Sequence, residues 1–445
     1  MVKITNNLKI DWFEYIYMFI VVIYMGSATA DTKCMQGADV KNQLVPIAIP
    51  LFMTIILSIR NKVKYNNINL KKIFLLFIIW CAAEALKFGF GLGDYQVIGF
   101  TFFLFYAIVV SYIHNQVFGK ALFPILEHII VLLSVVSLIF WCISIFMPSF
   151  ASALFKSSLS QEVTFGNNFL YIFTWMDPAK GQIYGGISRN AGWAWEPGRY
   201  AIILCLAICI NVIRIGKISF ANNIKLIILL VALLSTLSTT GYSTILILWS
   251  LYNFYGKGIT SKIALIFVFI VSFIAVASLD FMGDKIKEQT NFSEEMNYID
   301  KQISLADERN EEGEYWMSLN RFPSAYFEWY NVMHDPILGY TQIPLYSYFY
   351  NEISTNVRLT GGLVKILAEF GVPIGLYLYL ILFKSSVAFA SEYPDKRKTK
   401  LLILICFLLS SISYVIFCVP VFMTIWFYGL FSKRNIESKH ILIKW

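Results

Sequence analysis

The chain has 445 residues, 58% apolar, 17% aromatic and only 14% charged, with a net charge of +8 and a mean hydropathy of +0.63. That balance excludes an ordinary water-soluble domain and points to a polytopic membrane protein. No block of Lys and Arg is interleaved with base-stacking aromatics, which argues against a nucleic-acid partner.

A membrane-crossing helix needs about 20 mostly apolar residues. Taken in order, the apolar windows predict twelve: 12–30, 43–59, 70–88, 96–113, 121–147, 199–214, 224–240, 242–256, 262–280, 359–384, 400–417 and 419–432. Lys3 and Lys9 before the first window, and Ala28-Thr29-Ala30 after it, imitate a cleaved leader. Asp11 and Glu14 are unusual there, so the first window is read as a retained span. The seventh and eighth windows meet at a tight Thr239-Thr240-Gly241 turn. The last two meet around Pro420, with one kinked helix as the alternative. The expected fold is an all-α polytopic integral membrane protein of about twelve spans, a single membrane domain over 1–445.

Placing the N-terminus inside puts most of the 36 basic residues on inner segments, including Arg60, Lys62, Lys64, Lys71, Lys72, Arg214 and Lys396-Arg397-Lys398. The positive-inside bias then makes both termini cytoplasmic. Two long segments fall outside, 148–198 and 281–358. Loops of that length are usually functional or disordered. The stretch 284–314 is acidic, whereas 315–350 is dense in Trp, Tyr and Phe. Such aromatic density fits short amphipathic helices in the outer interface, or a platform for sugar rings.

Ionisable residues inside a span are costly and mark functional hypotheses. Glu84 and Lys87 end the third window, and Lys365 and Glu369 sit four apart in the tenth, on one helix face where they can pair. A self-neutralising ion pair is the plain alternative. Cysteines and histidines are scattered without metal-ligand or disulfide spacing.

The densest chemistry lies at Ser188–Ala201, where the first long loop enters an apolar helix: Arg189, Asn190, Trp193, Trp195, Glu196, Pro197 and Arg199. Arginine offers a planar fork for phosphate oxygens and keeps its charge. A carboxylate between two arginines can serve as a general base. The alternative is an interfacial anchor, with Glu196 pairing with an arginine and capping the helix that Pro197 starts.

Four motifs in order resemble the O-antigen polymerase (Wzy) and O-antigen ligase superfamily. They are Arg189-Asn190-Ala191-Gly192-Trp193-Ala194-Trp195-Glu196-Pro197-Gly198-Arg199, the Ser238-Thr239-Thr240-Gly241-Tyr242 turn, Asp335-Pro336-Ile337-Leu338-Gly339-Tyr340, and Asn356 to Gly375 with its Glu369-Phe370-Gly371. The resemblance covers about 185–375; the first 150 residues match only as generic spans. The arginine common in that family's Ser/Thr-Gly turn is replaced here by Thr239 and Thr240, and His334 lies upstream of the place where ligases carry a histidine.

The resemblance implies a GT-C-like glycosyltransferase acting on undecaprenyl-diphosphate-linked oligosaccharide at the outer face of a bacterial cytoplasmic membrane, as in lipopolysaccharide or capsule synthesis. It also implies a chain-length regulator as a possible partner. Glu196, His334 and Glu369 are the candidate bases. Arg189, Arg199, Arg321 and Arg358 are the candidate phosphate ligands, with Asn190, Trp193, Trp195 and Lys365 as further substrate contacts. No Asp-x-Asp pair occurs, so neither metal nor cofactor is expected. Ligase-type transfer to another acceptor, and a transporter or flippase, remain as alternatives.

Overall fold

The structure, a computed structural model, describes residues 7–8, 11–26, 40–87, 95–163, 165–178, 183–184, 187–216, 218, 220, 222–254, 316–318, 321–340, 356–358, 362–393, 396–414, 416–417, 419–432 and 441–442. The predicted ninth span and the acidic stretch 284–314 lie outside these residues. The protein is mostly helical (75%). Three helical stretches among the described residues are long and apolar enough to cross a membrane: Gly119–Phe146, Pro197–Ile215 and Lys365–Ser391.

The helices are α1 (Trp12–Met25), α2 (Val40–Arg60), α3 (Ile68–Lys87), α4 (Tyr95–Val117), α5 (Leu122–Phe146), α6 (Pro148–Phe155), α7 (Pro197–Ile215), α8 (Ile224–Ser235), α9 (Thr239–Phe254), α10 (Arg321–His334), α11 (Lys365–Ser391), α12 (Leu402–Ser411), α13 (Pro420–Trp426) and α14 (Tyr428–Phe431). Helix α7 is central. It is buried on all sides from Pro197 to Ile213, packed by α5, α8, α9 and α12. A helix apolar all round suits a protein core or a membrane span, and here the packing makes it core. A buried polar chain ties α1, α2, α4 and α13: Tyr17 Oη lies 2.8 Å from Thr54 Oγ1 and 2.6 Å from His114 Nε2, and His114 Nδ1 lies 2.9 Å from Thr424 Oγ1. Every member finds a partner, as burial requires.

Consecutive long helices alternate in direction, so helix ends gather at two levels. At one end the side chains of Asn69 and Gln116 donate to the carbonyls of Leu430 and Phe431 (2.9 and 2.6 Å), and the Arg60–Asp11 and Arg214–Glu127 ion pairs form. The C-termini of α1, α3, α5, α8 and α12 and the N-termini of α7, α9 and α11 gather at the other end.

Three sequence expectations change. First, 148–198 is not a plain loop. It holds α6 and an antiparallel meander of β2 (Ser160–Val163), β3 (Gly166–Phe169) and β4 (Phe173–Met176), so the fold is not purely α. The turn into β4 puts Leu170 and Tyr171 at φ of 49° and 62°. Hairpin turns normally use Gly or Asn at such positions, and their absence hides the hairpin from the sequence. Phe155, Phe169, Phe173 and Trp175 pack the meander onto Phe140 of α5. Second, the turn between α8 and α9 is Thr236–Ser238, and Thr239-Thr240-Gly241 is already the first turn of α9. Third, the helix within 400–417 runs over Leu402–Ser411 among the described residues.

Helix α11 is broken. Gly371 takes φ 75° and ψ 159° inside it, just before Pro373. The Asp335–Tyr340 turn after α10 fills the break: Val372 N donates to Pro336 O (2.7 Å) and Tyr340 N to Ala368 O (2.9 Å). Backbones approach so closely that a Cβ on Gly371 would lie 2.0 Å from Ile337 O, and one on Gly339 2.5 Å from Glu369 O. Only glycine fits at either position. Two short strand pairs close the rest: β7 (Trp316–Ser318) lies parallel to β8 (Asn356–Arg358), and β1 (Asn7–Leu8) antiparallel to β9 (Ile441–Leu442). The pair β5 (Ile183–Tyr184) and β6 (Ile187–Ser188) leads into the Arg189 segment.

Candidate functional site

A helix C-terminus leaves carbonyls without intrahelical donors and carries the negative end of the helix dipole. The segment 189–199 answers two such ends at once. At α8, Asn190 N donates to Ser235 O (3.0 Å) and Arg189 Nε to Thr236 O (3.0 Å). At α1, Trp193 Nε1 donates to Val22 O (3.0 Å), Arg199 Nε to Met25 O (3.4 Å) and Trp195 N to Gly26 O (3.4 Å). Both arginines therefore bring their cations to negative dipole ends at one level of the bundle.

The two tryptophans part company. Trp193 is fully buried against Tyr200, with ring centroids 5.2 Å apart. It is a core residue, and the expectation that it contacts substrate is withdrawn. Asn190 is likewise buried and committed: its Oδ1 accepts from Ser137 Oγ (2.8 Å) and Gly192 N (2.9 Å), and its Nδ2 donates to Ser235 Oγ (2.9 Å). It orders the segment rather than meeting a ligand. Trp195 stays partly exposed in a row of rings, stacked on Phe165 (5.9 Å, 17°) and edge-on to Tyr414 (6.5 Å). The Arg199 guanidinium continues the row, 6.0 Å from the Tyr414 ring and 5.4 Å from that of Phe422.

Glu196 occupies the N-cap position of α7, yet its side chain makes no capping bond. Its charge acts instead on Arg199. Of the two structural roles weighed for it, capping is not the one adopted. The Ser/Thr turn closes the same level, where Thr240 Oγ1 lies 2.9 Å from Ser413 Oγ. Trp195 and Arg199 thus share a row with Phe165, Tyr414 and Phe422, whereas Arg189 is held at the neighbouring end of α8.

Two of the other predicted residues, Lys365 and Glu369, belong to a second centre. Lys365 and Glu369 pair as expected, 3.5 Å apart on one face of α11. Glu328 of α10 joins them: it is fully buried, accepts from Tyr340 Oη (2.8 Å) and feels the charge of Lys365. Burial pushes the Glu328 carboxyl above its ordinary value of 4.5, against the opposing effect of Lys365 and the hydrogen bond from Tyr340. Tyr340 is pushed up by burial and by both carboxylates. Glu328 and Tyr340 carried no assigned role in the sequence reading. The signal was Ser324, Glu328, Asn331 and Asp335 at helical spacing, a polar stripe within an aromatic segment.

Lys87 turns to the segment after α10. It pairs with Asp335 (2.8 Å) and donates to Gly339 O (2.8 Å), while Trp80 Nε1 donates to Leu338 O (2.9 Å). Glu84 is buried, and neither of its carboxylate oxygens has a hydrogen-bond partner among the described residues. His334 is exposed at the end of α10, with Nδ1 2.9 Å from Tyr330 O of its own helix. Arg321 begins α10, and the β7–β8 register sets Arg358 opposite Ser318, three residues before it. The side chains of these two arginines lie outside the described residues. Compared with protein-family models, curated proteins and solved structures, the chain has no significant match to any of them.

Proposed function

We propose that the chain is an O-antigen or capsular polysaccharide polymerase of the Wzy type, with about twelve spans and both termini cytoplasmic. It moves a growing glycan from undecaprenyl diphosphate to a lipid-linked repeat unit at the outer face of the membrane. The observation that carries this reading is the set of Arg189, Glu196, Arg199 and Trp195 at the bundle end opposite the Arg60 and Arg214 ion pairs. The motif resemblance over 185–375 supplies the reaction class.

In this mechanism the acceptor sugar hydroxyl attacks the anomeric carbon of the donor glycan. The C–O bond to the diphosphate breaks, and its electron pair leaves with the phosphate oxygen. Arg189 and Arg199 stabilise that developing charge as preorganised cations. The hydroxyl proton passes to the Glu196 carboxylate, a step worth typically 10²–10⁴-fold. Trp195 offers a ring to the sugar beside the diphosphate. Glu369, buried in its pair with Lys365, serves structure in this reading.

A transporter or flippase is the second reading, favoured by one feature: discontinuous helices such as α11 recur in transporters. The surface glycan of a deletion strain separates the two. Complementation with wild type restores a full ladder, while the deletion, Arg189→Lys, Arg199→Lys and Glu196→Gln leave single repeats at matched expression. If both lysine variants restore full ladders, the phosphate role of this segment fails. If the deletion leaves the polymer unchanged, or abolishes even single repeats at the surface, the polymerase reading fails.

A further inference from the structure

Helix α10 is inside-out by the standards of a water-soluble helix. Ser324 and Glu328 are 0% exposed and Asn331 1%, whereas Tyr326 is 51%, Trp329 50% and Met333 65% exposed. The two sets fall on opposite faces, because spacings of three and four residues keep a set on one side of a helix. Ile337, in the turn that follows, is 70% exposed. In water, burying a carboxylate and an amide while exposing Trp, Met and Ile loses on both faces. The sequence would be stable only where the outward solvent is apolar and the inward partner polar.

The neighbours fix what that solvent is. The turn carrying Ile337 is bonded on one side to α3, through Trp80 and Lys87, and on the other to the break in α11. Both helices expose apolar faces: Leu75, Ile78, Ile79 and Leu86 on α3, and Leu376, Leu380 and Phe383 on α11. The α10 stripe continues that belt. Its composition, Tyr and Trp beside Met and Ile, is that of a segment lying at the boundary between headgroups and acyl chains.

We infer that α10 docks to the lipid bilayer through Tyr326, Trp329, Met333 and Ile337, lying in the interface while its polar face seals the Glu328–Tyr340–Lys365–Glu369 cluster against α11. Part of the second long loop thereby belongs to the membrane domain. The inference stands apart from the polymerase reading, since it rests on burial alone.

The test places the photoreactive residue p-benzoylphenylalanine at Met333 of the full-length protein. The protein is reconstituted in nanodiscs of phosphatidylcholine and phosphatidylglycerol, irradiated, and read by intact mass. Leu380 of α11 is the lipid-facing reference and Leu170 of the meander turn the aqueous one. The expected result is a one-lipid mass increase at 333 and 380 and none at 170. A second label at Ile337 must agree, and a monodisperse elution profile shows that each variant is folded. A lipid adduct at 380 together with an intramolecular crosslink or no adduct at 333 and 337 overturns the inference.

Discussion

The segment 189–199 and the α10–α11 seam both bring charges into an apolar bundle, and they neutralise them differently. In the first, buried arginines meet backbone carbonyls at the ends of α1 and α8, and Arg199 borders a partly exposed aromatic row. In the second, two carboxylates face one lysine and one phenol in a sealed space. Helix dipoles hold a cation without using up a counter-ion. Carboxylates so enclosed need a partner charge or a proton. The first arrangement rests its cations on backbone carbonyls, and the second sets side-chain charges against one another where a loop packs on α11.

The comparison is broken most severely at Trp193. If the segment is ordered by that buried ring, Trp193→Ala costs about 3–5 kcal/mol. The thermal midpoint in detergent falls steeply, and no change in midpoint would remove the ring from the core. In the seam, Glu328→Ala takes away the acceptor of the Tyr340 hydroxyl and costs about 1–3 kcal/mol, while Glu328→Gln keeps an acceptor and costs less. Equal losses for the two variants would show that the Tyr340 bond contributes nothing.

A pH series sharpens the contrast. Glu328 holds its proton more tightly folded than unfolded, so its contribution is fully present below about pH 4.5. It is lost as pH rises through the elevated value. Wild-type stability should therefore decline with rising pH, with Lys365, Glu369 and Tyr340 as the groups facing Glu328, and Glu328→Gln should flatten the decline. An unchanged slope in Glu328→Gln assigns the titration elsewhere. The smallest stability effect belongs to Trp195→Phe, within roughly 0.5 kcal/mol because the ring is partly exposed. Yet the glycan ladder should shorten in that variant, a separation that Trp193→Ala cannot give.

Much of this arrangement can be read along the chain. Runs of apolar residues mark α5, α7 and α11 because a helix facing lipid or core on every side tolerates little else. The i, i+4 placement of Lys365 and Glu369 gives their pairing directly, since local helix geometry fixes it. Arg189 and Arg199 stand out because cations beside an apolar helix are costly without a reason. Contacts between distant segments are another matter. Trp193 and Trp195 look alike in sequence, and only the position of α1 buries one and leaves the other at the aromatic row. Lys87 carries no sequence sign of its partner, and the turn after α10 brings Asp335 to it from far along the chain. Glu328 reads as an outer-loop carboxylate until α10 folds its polar face inward. Local spacing determined which helices form and which charges share a face. Which charges meet, and which aromatic rings stay open, was decided only when the broken α11 accepted the Asp335–Tyr340 turn and the 189–199 segment closed on the ends of α1 and α8, because those contacts join residues that no local period relates.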